Sequence, residues 1–176
     1  MTHDLDRLRS YLDGIGLADV QHTHDDLLSH LVGTYRELAR LNLPEHVSRA
    51  GLFHSVYGTE GFPRQSVPLS QRDDVRALIG SEAERLAYRY CAMSYDSLQR
   101  SVDEGRPLLD DRFTGEPMNM TRAEFDEVLW IKLADAVEQA DETTPHSRFF
   151  RTVADLLGPD GASYWTTFAR ASHAAG

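Results

Sequence analysis

Apolar residues recur at intervals of three and four through most of this chain, and no stretch alternates over the length of a strand. Such spacing puts an apolar stripe on each helix and denies a sheet its inward face. The predicted fold class is therefore all-α, a bundle with its polar chemistry on inward-facing side chains. Leu5, Leu8, Tyr11 and Leu12 mark a first helix over 4–13, ended by Gly14 and Gly16. Leu27, Leu28, Leu31, Tyr35, Leu38 and Leu41 mark a second, starting near Asp25 or Asp26. Pro44 opens a third, where its missing N–H costs nothing, with Val47, Ala50, Leu52 and Phe53 on the apolar side. Gly58, Gly61 and Pro63 then interrupt the pattern, so 57–69 reads as a loop.

A short helix is predicted over 73–79, and Ser81 with Glu84 reads as a capping box opening a helix to about Met93. Residues 102–120 read as irregular, with a short hairpin around Thr114-Gly115-Glu116. Thr121 with Glu124 is a second capping box and opens the longest helix, to about Gln139. Pro145 starts another helix ending near Gly158, and 160–172 form a last one. At 176 residues and 41% hydrophobic content, one domain over 1–176 with a single core is expected.

The formal net charge of −10 disfavours a nucleic-acid face, which needs clustered Lys and Arg, and an anionic membrane surface for the same reason. A small phosphorylated ligand remains compatible, because a local cation or bound metal can outweigh net charge. Cys91 is the one cysteine, so no intramolecular disulfide can form, which fits a reducing compartment. Its apolar neighbours make it a buried structural thiol. The N-terminal run MTHDLDRLRSYLDG is charged throughout, and no segment has the length and apolarity of a membrane span. Cytoplasm is the expected address.

Of the eight histidines, His3 and His173 lie near the termini, and His46 and His146 sit at helix starts and read as exposed. His30 lies among Leu27, Leu28 and Leu31, and His54 follows Ala50-Gly51-Leu52-Phe53. Asp135 interrupts the apolar helix running from Val128 to Ala134. A buried carboxylate is costly unless paired or bound to metal. Two imidazoles and a carboxylate in a bundle core make a divalent-metal site. Hydrogen-bonded core histidines, with Asp135 paired to Arg36 or Arg89, would satisfy the same pattern. Tyr88, Tyr90 and Tyr95 read as packing, and Asp110-Asp111 as a solvated turn. Arg148-Phe149-Phe150-Arg151 reads as core packing with surface arginines, a homodimer face being the other reading.

The run from His30 to Glu60, HLVGTYRELARLNLPEHVSRAGLFHSVYGTE, and the later Lys132-Leu133-Ala134-Asp135 resemble two segments of the hydrolase domain of (p)ppGpp synthetase/hydrolases, in the HD-domain superfamily. The resemblance implies an HD-like helical fold with His30, His54 and Asp135 as three of the family's four metal ligands. The pattern departs from the family where the defining Asp becomes Ser55, a degenerate HD motif. The acidic pair that helps activate water falls at Gly58 and Thr59, and the Arg and Asn after the KLAD motif are Ala136 and Gln139. Residues 22–93 resemble more closely an uncharacterised bacterial family with an early histidine like His22 and a serine at the position of Ser55.

Three classes of function follow. In the first, the chain is a metal-dependent, phosphohydrolase-like enzyme acting on a small molecule, phosphorylated or nucleotide-like. His30, His54, Asp135 and His22 would hold manganese or iron, with Glu60 as base. Ser55, Tyr57, Arg64 and Lys132 would bind substrate. In the second, two histidines and one carboxylate form the facial triad of a mononuclear non-heme iron oxygenase. In the third, a non-catalytic protein uses the degenerate site as a polar core or a pocket for a small ligand or partner. A Ser55–His54 nucleophile pair is disfavoured, since adjacent helical residues point about 100° apart and no Gly-x-Ser-x-Gly turn surrounds Ser55.

Overall fold

Side-chain caps from Asp26, Ser94, Thr121 and Ser147 set where four of the described helices begin. The computed structural model describes residues 2–22 and 25–174, with side chains over 4–21 and 26–172. Helix α1 (Thr2–Gly14) leads through a 3-10 turn into a two-residue hairpin, β1 (Gln21–His22) and β2 (Asp25–Asp26). The strands pair antiparallel, Gln21 with Asp26 and His22 with Asp25. Asp26 then caps α2 (Leu27–Arg40), its carboxylate accepting from the Ser29 amide at 2.8 Å. Asn42, with a φ of 54°, lies in the tight turn before α3 (Glu45–Leu52). Helices α4 (Arg72–Ile79), α5 (Ser81–Ala92) and α6 (Tyr95–Glu104) follow.

A hairpin of β3 (Asp110–Asp111) and β4 (Glu116–Pro117) precedes α7 (Arg122–Glu138), and α8 (Arg148–Leu156) and α9 (Gly158–Ala174) complete the described chain. The all-α expectation holds, with two minimal hairpins as the only strands among the described residues. No described helix is long and apolar enough to cross a membrane.

Helices α2, α3, α5 and α7 pack on one another and enclose a single apolar cluster. Leu31, Leu52, Phe53, Ala87, Leu129 and Leu133 lie at its centre. Gly51 brings α3 close to α2, because a Cβ there would stand 2.3 Å from Leu38 Cδ1. The crossing of these four helices is what delivers polar side chains from distant parts of the chain to one point.

Local details differ from expectation. Residues 95–104 form α6, although Gly105 and Pro107 suggested irregular chain from 102. Ser94 caps this helix through the Ser97 amide. The Thr121–Glu124 capping box is present, but the Ser81–Glu84 pair is not one. Gly80 caps α5 with a φ of 94°, and the Glu84 carboxylate turns inward instead, to Arg72 at 2.6 Å and to Arg76 and Tyr57. Asp111 is buried rather than solvated. It accepts from Tyr88 Oη at 2.7 Å and from the amides of Phe113 and Thr114. His46 is half-buried, with Nε2 2.8 Å from Glu127 Oε1. Phe149 and Phe150 pack against the core, while Arg148 and Arg151 are exposed.

Candidate metal centre

His30 comes from the first half of α2, His54 from the turn just after α3, and Asp135 from the last turn of α7. All three are buried, at 4%, 2% and 7% exposure. Their donor atoms converge. His30 Nε2 lies 3.2 Å from His54 Nε2 and 3.3 Å from Asp135 Oδ1, and His54 Nε2 lies 3.6 Å from the same oxygen. A point equidistant from three atoms so spaced is about 2 Å from each, within the bond lengths of zinc-class ions to nitrogen and carboxylate oxygen. The donor set and its spacing therefore fit a single divalent ion.

The outward-facing edges of the imidazoles are held. His54 Nδ1 lies 2.7 Å from the Gly51 carbonyl, and His30 Nδ1 is bonded to the Glu138 carboxylate. Each contact directs Nε2 toward Asp135, the arrangement in which a metal-ligating histidine donates its other N–H to a carbonyl or carboxylate. The His54 ring also meets Tyr90 edge-on, with centroids 5.1 Å apart.

Asp135 is satisfied on both oxygens. Oδ2 accepts from Tyr90 Oη at 2.6 Å and from Lys132 Nζ at 3.0 Å, and Oδ1 accepts from Gln139 Nε2 at 2.6 Å. Burial pushes this carboxyl upward, but the Lys132 charge and the two imidazoles hold it well below the usual carboxylate range. Burial works against the His30 imidazolium, yet its bonds to Asp135 and Glu138 raise it to about 9. Burial, then the adjacent Asp135 charge, keeps the Tyr90 phenol protonated far above its ordinary range.

The three donors lie in the wall of a cavity of about 480 Å³, also lined by Ser55, Thr59, Gly61, Phe62, Tyr90, Met93, Tyr95, Lys132, Gln139 and Gln21. That size suits a small ligand. The Ser55 hydroxyl is buried without a hydrogen-bond partner. Lys132 Nζ stands 5.9 Å from the Tyr90 ring and 5.8 Å from that of Tyr95. Thr59, Gly61 and Phe62 reach the wall because 57–69 folds into a tight turn, Thr59 N to Phe62 O at 2.9 Å, which Tyr95 Oη ties to α6 through the Gly61 amide. Gly58 starts that turn with a φ of 75°, and a Cβ there would meet the Pro63 carbonyl at 2.8 Å.

The structure thus brings His30, His54, Asp135, Ser55 and Lys132 together and leaves three expected residues outside the cavity. Glu60, expected as a base, is exposed, and its carboxylate accepts from the Tyr95 amide at the start of α6. Tyr57 is fully buried, its hydroxyl donating to Glu84 at 3.2 Å. Arg64 is exposed and does not line the cavity. None of the described residues of 102–120 lines the cavity. His22 falls on β1, but its side chain lies outside the described residues.

Sequence reasoning missed Glu138, Gln139 and Tyr90. The first two follow Asp135 by three and four positions and so share its helical face. Tyr90 sits on a buried face, where a phenol needs a hydrogen-bond partner. The partner of Asp135 is Lys132, one turn earlier, rather than Arg36 or Arg89; Arg89 pairs with Glu124 at 2.7 Å.

A family model described as a domain of unknown function, DUF6817, matches residues 11–95. The matched segment carries His30, His54, Ser55 and Tyr90, and Asp135 lies beyond it. No curated protein matches the chain, and no solved structure does.

Proposed function

We propose that this chain is a metal-dependent enzyme of the HD-like type that hydrolyses a small phosphorylated molecule. The observation that supports it is the convergence of His30 Nε2, His54 Nε2 and Asp135 Oδ1 to within 3.6 Å of one another in a cavity wall. Manganese, iron or zinc would be held by these three atoms. Bound there, the ion would polarise a phosphoryl oxygen and make water nucleophilic at neutral pH. Lys132 carries the cationic group nearest the site and would pair with substrate negative charge. Ser55 would offer its unpartnered hydroxyl to the same ligand. Phe62 and Tyr95 would cover the apolar part of the molecule. With Glu60 committed to α6, the only carboxylate in the cavity wall among the described residues is Asp135, which belongs to the ligand set.

A second reading rests on charge balance. The carboxylates of Asp135 and Glu138 are matched by Lys132 and a His30 imidazolium, which would make a self-contained polar core without an ion. One experiment separates the two. Metal content is measured after purification without chelator, followed by titration of the chelated protein with Mn²⁺, Fe²⁺ and Zn²⁺ and assay of phosphate release from a panel of phosphate esters. One ion per chain, lost in a folded His54→Ala variant, supports the enzyme. Absence of binding by any of the three ions overturns it and leaves the polar core.

A further inference from the structure

We infer that Gly33 is a positioning residue. By lacking a side chain it admits the Glu138 carboxylate to Nδ1 of His30, and so aims His30 Nε2 at the cavity. The metal consequence of this inference rests on the reading above; the positioning itself does not.

Gly33 lies inside α2, one turn after His30, on the face toward α7. Glycine weakens a helix interior, so its presence there needs a reason. Backbone conformation is not the reason, because Gly33 is absent from the positive-φ residues. Space is. A Cβ at 33 would stand 2.7 Å from both Cγ and Oε1 of Glu138 and 2.9 Å from its Cδ. No Cβ approaches other atoms so closely, so Glu138 and an alanine at 33 cannot both keep these positions. Glu138 is a flexible side chain, half-buried at 24% exposure, and it would be the group to move. A substitution at 33 therefore leaves the helices in place and removes the carboxylate from His30.

The consequence falls on one ligand only. His30 Nδ1 depends on the Glu138 side chain, whereas His54 Nδ1 is held by the Gly51 backbone carbonyl at the end of α3. Partners of this kind fix which ring nitrogen faces the ion, and their loss costs about 10–100-fold in metal affinity.

The test compares Gly33→Ala, Glu138→Ala and the double variant with wild type. Circular dichroism and a single cooperative melting transition confirm the fold of each variant. In chelated protein, ¹⁵N–¹H spectra of the His30 ring should show a hydrogen-bonded Nδ1 proton in wild type and lose it in both single variants. Calorimetric titration with Mn²⁺ should weaken by about 10–100-fold in each single variant, and the double variant should bind no worse than Glu138→Ala. An Nδ1 proton retained in Gly33→Ala would overturn the inference, as would a Gly33→Ala loss that adds in full to that of Glu138→Ala. Wild-type protein that binds no Mn²⁺, with the ring signal still lost in Gly33→Ala, would uphold the positioning and refute the metal reading alone.

Discussion

Replacing Asp135 by Asn keeps the shape of the side chain and deletes its charge. In wild type, Oδ2 of this buried residue faces the Lys132 ammonium at 3.0 Å, and Oδ1 faces His30 Nε2 at 3.3 Å. Breaking a buried pair from one side costs about 3–5 kcal/mol, since the remaining charge stays desolvated. Lys132 retains 17% exposure and can partly reach water, which places the expected cost near the lower end, about 3 kcal/mol. With a urea dependence of about 2 kcal/mol per molar for a chain of this size, the unfolding midpoint of chelated protein should fall by about 1.5 M at pH 7. The sign with pH follows from the depressed folded pKa of Asp135. Its contribution is present above the unfolded value near 3.9 and is lost as pH falls toward the folded one. The gap between wild type and Asp135→Asn should therefore be full at pH 7 and shrink below pH 4. A gap under about 0.5 kcal/mol at pH 7, typical of an unremarkable surface change, would refute the buried-charge argument, and so would a gap that widens in acid. Mn²⁺ at 100 times its dissociation constant should stabilise wild type by about 2.7 kcal/mol and Asp135→Asn not at all.

Four further outcomes follow. His30, raised to about 9 in the metal-free protein, stabilises it fully below the unfolded value near 6.5, and that contribution is lost as pH rises through about 9. Because the ion must displace this proton, Mn²⁺ affinity measured by calorimetry should rise from pH 6.5 to 9 and then level off. Glu124, held to about 2 by the Thr121 amide and by Arg89, contributes stability above pH 4 that disappears as pH falls toward 2. Glu124→Gln should cost about 1 kcal/mol by urea unfolding at pH 7, with a smaller difference at pH 3. Gly51→Ala drives a Cβ against the wholly buried Leu38. About 1–3 kcal/mol of overpacking, offset by about 1 kcal/mol of helix propensity, should lower the melting temperature by a few degrees. Cys91 is fully buried, and burial pushes its thiol up to about 12, so maleimide labelling at pH 7.5 should require unfolding.

The amino-acid sequence by itself determined most of the helices, α6 excepted, and marked His30, His54 and Asp135 as buried polar groups. Periodicity is a local property, and a helix such as α7 carries its own cap in Thr121 and Glu124. His30, His54 and Asp135 stood out because each polar group interrupts an apolar face, and burial can be read from such a face without knowing its partner. Lys132 is legible through the Lys132-Leu133-Ala134-Asp135 run, one turn before Asp135. Tertiary structure alone decided what those side chains meet. Whether Glu60 points into the cavity or onto the first amide of α6 depends on how the 57–69 turn lies against a helix 35 positions further on. The Glu84 carboxylate left an expected cap for Arg72 because α4 folds back on α5. Glu138 became the partner of His30 across 108 positions because α2 and α7 pack together and residue 33 has no side chain to keep them apart. Caps and stripes arise within a few residues, whereas contacts between helices depend on packing that places distant surfaces within ångströms of each other.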